Sequence, residues 1–375
     1  MSSKANNLIL TFASLLCLVI ILEIILHTLF PASKPPLGMF DHKNLMYVSD
    51  TTIRTGYTTR GAWPRKKTPW VINSRGWNFI SQPQKEIAPS ESNFKTLVVI
   101  GDSYIEGLQV SPQENLAYLL QKKLIKSAHV HAFGKSGAPL SQYLHISRYS
   151  KKILSPDVLI FNLVENDFWE SSRDWHPEKK HFLQFTFDSS SYQYIENLPS
   201  DPLLDRKLPR LRRLLYKSAL MRYLVYNLQV FSRNQYISPQ NKLFMQTNKD
   251  STLHSASNFT KSQDPTSQKM RQLISAIFTK IREEFPHTKI IFLMDGDRFA
   301  ITHALPHDQT YLYHKSIVFE NCRYIKANCI DLHPIQKKYY LKTHQDLYSG
   351  NDYHWNKNMH QLAAEVLAQQ IIQKF

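Results

Sequence analysis

The chain reads as an α/β protein with a parallel sheet, carried behind an N-terminal apolar helix. Three observations predict this. Apolar runs ending in turn residues recur in KTLVVIGDS, HVHAFGKSG, PDVLIFNLVENDF, TKIIFLMDGDR and NCIDLHP. Such runs suit parallel strands buried on both faces and feeding a loop. Segments with helical apolar spacing separate them: 114–127, 141–153, 267–285 and 311–325. Strand–helix alternation of this kind predicts helices packed on a parallel sheet. Finally, residues 8–30 form one uninterrupted apolar tract.

That tract is long enough to cross a bilayer as a helix. Its single acidic residue, Glu23, lies toward the C-terminal end. No small-residue cleavage pattern follows it, and Leu16 precedes Cys17 where a lipoprotein signal wants a small residue. An uncleaved anchor over 1–30 is therefore expected rather than a removed signal. Lys4 on one side and Lys34 and Lys43 on the other leave the positive-inside rule nearly silent. A short N-terminal tail normally stays in the cytoplasm, which in a bacterium would place the remaining chain outside the inner membrane, periplasmic or extracytoplasmic.

The formal net charge is +16. The Lys and Arg are mostly scattered and read first as a solvated basic surface, with attraction to an anionic lipid surface or an anionic glycan as the alternative. The densest basic run is 206–213. No nucleic-acid module signature accompanies it, and nucleic acid is not expected as a partner. Gly is scarce and no repeat period is visible, which excludes solenoids and propellers. Cys322 and Cys329 stand seven apart in NCRYIKANC. They read either as a disulfide joining a helix end to the next strand or as two buried thiols. No second Cys/His pair at ligand spacing is present, so neither metal nor cofactor is expected.

Residues 31–93 read as a Pro-rich linker, 31–40, followed by irregular or β-rich structure. The main domain runs over 94–375, with an insertion at about 170–265 that could lid or shape a site. Inside the insertion, 210–231 has a strong helical pattern. Ser141 is a candidate cap for the helix at 141–153. Asn356 is the expected cap of an amphipathic closing helix.

The chemistry-bearing residues lie at the two ends of this domain. Ser103, in TLVVIGDSY, should sit at the C-terminal end of a strand, where open α/β sheets bind ligands. A helix starting there would aim its N–H groups at an oxyanion. Asp352 and His354 flank Tyr353 in GNDYHWN. On an extended segment residues two apart point the same way, so Asp352 could orient the imidazole that faces Ser103. The G-x-S-x-G elbow is absent, because Ile105 replaces its second Gly. Asp102 and Asp167 read as loop-ordering hydrogen-bond acceptors. Arg298, in MDGDR, either binds an anionic group or belongs to an ordinary strand-end turn.

Four blocks in this order resemble the SGNH, or GDSL-like, hydrolases over about 94–375. GDS at 101–103 resembles the nucleophile block. FGKSGAP at 133–139 resembles the second block, whose Gly supplies an oxyanion-hole N–H; Gly137 is the better match and Gly134 the fallback. VENDF at 164–168 resembles the third block, whose Asn completes the oxyanion hole at Asn166. DYHWN resembles the last block, with an Asp-x-His-Trp spacing similar to the branch that includes membrane-associated polysaccharide O-acetylation proteins. Two departures stand out. Asn351 occupies the usual Asp-x-x-His position, and Val164 and Glu165 replace the usual context before Asn166.

The resemblance implies a three-layer α/β/α, flavodoxin-like fold. It implies a triad of Ser103, His354 and Asp352, with an oxyanion hole formed by Ser103, Gly137 and Asn166. It further implies a serine esterase or O-acyltransferase acting on an acylated envelope or extracellular glycan, with a membrane-bound acyl donor as a candidate partner. A non-catalytic glycan-binding or scaffold relative and a lipid-directed esterase are the rival expectations.

Overall fold

The computed structural model describes residues 3–60, 66–80, 94–191, 193–201, 213, 215–228, 230, 265–303, 305–349 and 354–374. In chain order, helix α1 (Ser3–Thr28) precedes strands β1 (Gly38–Asp41), β2 (Met46–Ser49), β3 (Thr55–Arg60) and β4 (Lys66–Val71). Next come β5 (Lys95–Gly101), α2 (Ser103–Glu106), α3 (Leu116–Lys123), β6 (Ala128–Gly134), α4 (Leu140–Leu154), β7 (Val158–Leu163) and α5 (Asn166–Trp169). The hairpin β8 (Gln184–Asp188) and β9 (Gln193–Asn197) follows, then α6 (Ala219–Arg222) and α7 (Pro265–Glu284). The chain closes with β10 (Lys289–Met294), α8 (Arg298–Thr302), α9 (Gln309–Tyr324), β11 (Asn328–Asp331), α10 (His333–Thr343) and α11 (Lys357–Lys374).

Two compact units emerge. One comprises Met1–Pro35, Tyr57–Thr68 and Asp205–Ser255; the other comprises Pro36–Gly56, Pro69–Leu204 and Ala256–Phe375. The segment 170–265 is thus divided, its described residues between 213 and 230 grouping with the N-terminal helix.

The larger unit is a three-layer α/β/α fold around a five-stranded sheet of order β11-β10-β7-β5-β6. Every pairing is parallel. In order of appearance the strands lie 5-4-3-1-2, the flavodoxin-like arrangement, with its switch point between β5 and β7. Alternate strand residues feed two cores. Val98, Ile100, Leu159, Phe161, Leu163, Phe292 and Met294 face α4, α7 and α9. Leu97, Val99, Val158, Ile160, Ile291 and Leu293 face α3 and α11. Both faces being covered explains why the strands read as continuous apolar runs rather than alternating ones. Phe292 stacks between Phe278, at 4.2 Å between ring centroids, and Phe161, at 5.1 Å.

Asn356 caps α11 as expected, its Oδ1 accepting from the N–H groups of Asn358 and Met359. Ser141 does not cap α4. The helix starts one residue earlier, after Pro139. The Ser141 hydroxyl instead donates to the Leu183 carbonyl at 2.6 Å and ties the helix to the chain entering β8. Cys322 and Cys329 form a disulfide, with Cα atoms 6.1 Å apart, between α9 and β11. The 41–80 region is β-rich, as two-stranded β1–β2 and β3–β4 sheets.

The smaller unit differs from the long helix read at 210–231. Helical residues stop at Lys217, Ser218 takes an extended conformation, and α6 begins anew with the Ser218 hydroxyl accepting from Met221 N–H. Residues Tyr223–Asn227 continue as a π-turn. Most of the basic run at 206–213 lies outside the described residues.

Candidate active site

Strand β5 delivers its C-terminal end to the switch point, and the chain turns there into α2. Asp102 caps that helix, its carboxylate accepting from the Tyr104 N–H at 2.9 Å and lying 3.1 Å from the Ser103 hydroxyl. Ser103 is the first helical residue, so its own N–H has no acceptor within the helix. Gly107 ends the helix in the left-handed conformation, at φ 61°. Ser103 is half-buried.

His354 arrives from the other end of the domain. Its Nε2 lies 2.8 Å from Ser103 Oγ, across 251 residues of chain. A neutral imidazole protonated on Nδ1 would accept the hydroxyl proton there. The ring rests on Tyr104, with centroids 5.0 Å apart. Trp355 fixes the approach: it is fully buried and meets Tyr104 edge-on at 5.5 Å. Its indole N–H donates to Asp295 at 3.0 Å, which also accepts from Gln336 at 2.7 Å. Asp352 lies outside the described residues.

Three buried acids form the floor. Burial pushes the Asp102 carboxyl up to about 6, while the Tyr104 N–H and the positive charge that His354 can carry pull it down. Asp167 is held well above the usual carboxylate range, first by burial and then by Asp102. It accepts from the Val164 N–H and the Tyr143 hydroxyl, both at 2.9 Å. Both aspartates therefore order loops, as read from the sequence. Asp295 is also raised by burial, against the pull of Arg298. The Arg298 guanidinium lies over the Tyr104 and Tyr348 rings, 6.0 and 5.5 Å from their centroids.

The remaining predicted residues lie at the end of β6, in the loop after it and at the start of α5. Gly134 packs on α2 so closely that an added Cβ would lie 2.1 Å from the Glu106 backbone nitrogen. Gly137 instead needs a left-handed φ of 77°. Asn166 is exposed and donates to Glu170 at 3.1 Å. Lys179 links the Gly137 loop to the end of α5: its ammonium donates to the Gly137 carbonyl at 3.1 Å and pairs with the same Glu170 oxygen at 2.5 Å. Glu165 keeps a large exposed area, yet protein surrounds it. That crowding, then Asp308 and Asp297, pushes its carboxyl up to about 7, while Arg298 opposes the rise.

A buried ion pair secures this geometry. Glu106, in α2, and Lys135, next to Gly134, are almost fully buried and 3.1 Å apart. Lys135 also donates to Ser49 at 3.0 Å. The other Glu106 oxygen accepts from the Ser136 N–H at 2.8 Å and from the Ser136 hydroxyl. The helix that begins with Ser103 is thereby fastened to the loop that carries Gly137. The sequence reading missed Glu106, Lys135, Glu170, Lys179 and Asp295. Only Asp295 had a local signal, as the last residue before the turn that ends a strand.

Among the described residues, no cluster of three or more His, Cys, Asp or Glu side chains is placed to hold a metal. A cavity of about 630 Å³ opens at the start of β10 and β11, the opposite end of the sheet from Ser103.

No known protein-family model matches the chain. No curated protein matches it. Solved structures give distant likenesses. An acetyl xylan esterase, AlAXEase, shows 14% identity and a TM-score of 0.39, covering 74% of this chain and 99% of that one. A member of the lipolytic protein G-D-S-L family from Veillonella parvula shows 9% identity and a TM-score of 0.38, covering 75% and 99%. The lipase/acylhydrolase from Enterococcus faecalis shows 12% identity and a TM-score of 0.38, covering 75% and 97%.

Removing one partner of a buried ion pair leaves an uncompensated charge, at a cost of about 3–5 kcal/mol. Lys135→Met should lower unfolding stability by that order in urea. Adding Glu106→Gln to it should recover a large part of the loss. Equal stabilities for the single and double variants would show that the pair does not hold these elements together.

Proposed function

We propose that the chain is a membrane-anchored serine esterase or O-acyltransferase of the SGNH type, acting on an acylated envelope or extracellular glycan. The observation that carries the reading is the 2.8 Å contact between Ser103 Oγ and His354 Nε2 at the carboxyl end of β5. The order of the four sequence blocks and the apolar Asn6–Thr28 helix support it further.

In this reading His354 takes the hydroxyl proton as Ser103 Oγ bonds to the ester carbonyl carbon. The carbonyl oxygen becomes an oxyanion, met by the N–H groups of Ser103 and Gly137 and by the Asn166 amide. Collapse of the tetrahedral intermediate breaks the ester C–O bond. The proton on His354 goes to the leaving alkoxide, and the acyl group stays on Ser103. Water or a sugar hydroxyl then attacks the acyl carbon as His354 accepts its proton; collapse breaks the acyl–Oγ bond and His354 returns the proton to Ser103 Oγ. Water gives hydrolysis; a sugar hydroxyl gives transfer. Asp352 is proposed as the carboxylate that holds the imidazole. Asp102, beneath the serine, adds negative charge that favours the imidazolium form. Lys179 and Glu170 keep Gly137 and Asn166 in register, which matters because losing one oxyanion donor costs about 100- to 1000-fold in rate.

A fluorophosphonate probe should label the wild-type chain covalently. Labelling should vanish in Ser103→Ala and slow by at least about 100-fold in His354→Ala. A folded wild-type chain that does not react contradicts the proposal. In an ester series, a preference for acetyl over long acyl groups supports a glycan substrate, and the reverse preference supports a lipid-directed esterase.

Glu165 supplies a pH signature. Its carboxyl, raised to about 7, is mostly neutral below that pH and anionic above it. A negative charge beside Asn166 opposes the developing oxyanion. The wild-type kcat/KM should therefore bend downward as pH rises through about 7, and Glu165→Gln should lose that bend. Identical profiles would remove Glu165 from the account.

A further inference from the structure

We infer that residues 215–228 and 230 are a second membrane contact, lying in the bilayer interface and clasped to the N-terminal helix through Glu23. The inference rests on the anchor reading proposed above and adds to it a surface that the anchor alone does not require.

The clasp is the first observation. Glu23 is the single acidic residue of the apolar helix. Its carboxylate accepts from the Ser218 hydroxyl at 2.9 Å, from the Leu220 N–H at 2.9 Å and from the Ala219 N–H at 2.5 Å. These donors are the N-terminal groups of α6, which are left without partners by helix geometry. The two elements also share a small apolar core: Leu26, Ala32 and Ala219, with Leu220 and Tyr223 against it. Asn227 closes the unit by accepting from the Ser33 N–H at 2.9 Å.

Depth is the second observation. The apolar helix Asn6–Thr28 has 23 residues, about 35 Å at 1.5 Å per residue, against a hydrocarbon core of about 30 Å. Glu23 lies five residues before the end of that span, about 7.5 Å back along the axis. Whatever bonds to it sits at the headgroup boundary or below it. A carboxylate is costly at that depth unless its oxygens are satisfied, and α6 satisfies both.

Composition is the third. Leu215, Val225, Leu228 and Val230 are exposed at 39%, 36%, 53% and 57%, and Leu29 and Phe30 of the same unit are exposed as well. Arg213 and Lys217 are exposed beside Leu215. Apolar side chains flanked by cations suit the interface of an anionic bilayer. The occupant of this face is therefore lipid, continuous with the lipid around α1. Removing α1 as a leader would strip α6 of its cap and its core, which fits retention of the helix.

The test uses the full chain in vesicles of phosphatidylethanolamine and phosphatidylglycerol, in a Cys17→Ser background. Leu228→Cys carries an environment-sensitive fluorophore, and Tyr324→Cys, at a 75% exposed position of the larger unit, is the aqueous reference. Spin labels on shallow acyl positions should quench the Leu228 probe several-fold more than the reference. Glu23→Ala should reduce that quenching while the chain still resists alkaline carbonate extraction. Carbonate resistance with no excess quenching at Leu228 overturns the inference and leaves the anchor standing. A blue-shifted but unquenched probe also overturns it, because protein rather than lipid then covers the face. Release of the wild-type chain by carbonate overturns both readings.

Discussion

The hydrogen bond between His354 Nε2 and Ser103 Oγ joins residues 251 positions apart, and much of the fold serves to bring them together. Parallel strands must all end on one side, so every loop after β5, β7 and β10 gathers at the same edge. The switch point between β5 and β7 leaves room there for Ser103. His354 is set from below rather than by its own contacts alone. Trp355 inserts into the core beside Tyr104 and is held by Asp295, the residue that follows β10. A shift of that indole would move the imidazole off the serine.

The same edge concentrates charge that the interior tolerates only with compensation. Glu106 is matched by Lys135, and Asp295 by two side-chain donors and the nearby Arg298. Asp102 and Asp167 have backbone and hydroxyl donors, yet burial pushes both up, and Asp102 adds to the rise at Asp167. An acidic floor of this kind opposes an oxyanion yet favours a positive imidazole. On the proposed mechanism the two effects are separated in space. The acids lie beneath Ser103 and His354, whereas two of the three proposed oxyanion donors, Gly137 and Asn166, are positioned through Lys179 and Glu170.

Much of this was legible in the sequence. Each core strand announced itself as a continuous apolar run because both of its faces are covered, and the motif residues followed at the ends of those runs. Ser103 was named from the end of such a run, His354 from its spacing to Asp352, and Gly137 and Asn166 only from the resemblance of their blocks. Contacts between distant residues could not. Glu106 and Lys135 are 29 residues apart with no spacing signature. Lys179 acts from a single 3-10 turn, Pro177–Lys179, whose local sequence carries no motif. The helix α10 was missed although Ile335 and Tyr339, one turn apart, both pack on the second core. The break at Ser218 inside a strong helical pattern is decided by Glu23, 195 residues away, where a tertiary carboxylate outcompetes local propensity. Asp352 was named from its spacing to His354 and lies outside the described residues.

The central claim is that Ser103 carries the acyl group. The most direct measurement is acid-quenched mass spectrometry of the chain mixed with an activated acetate ester, followed by peptide mapping. The account predicts a mass gain of one acetyl group, confined to the peptide holding Ser103, that decays on dilution and decays faster when an accepting sugar is added if transfer is the reaction. Ester turnover with no acyl group on Ser103 at any time, or with the acyl group on another residue, would contradict it.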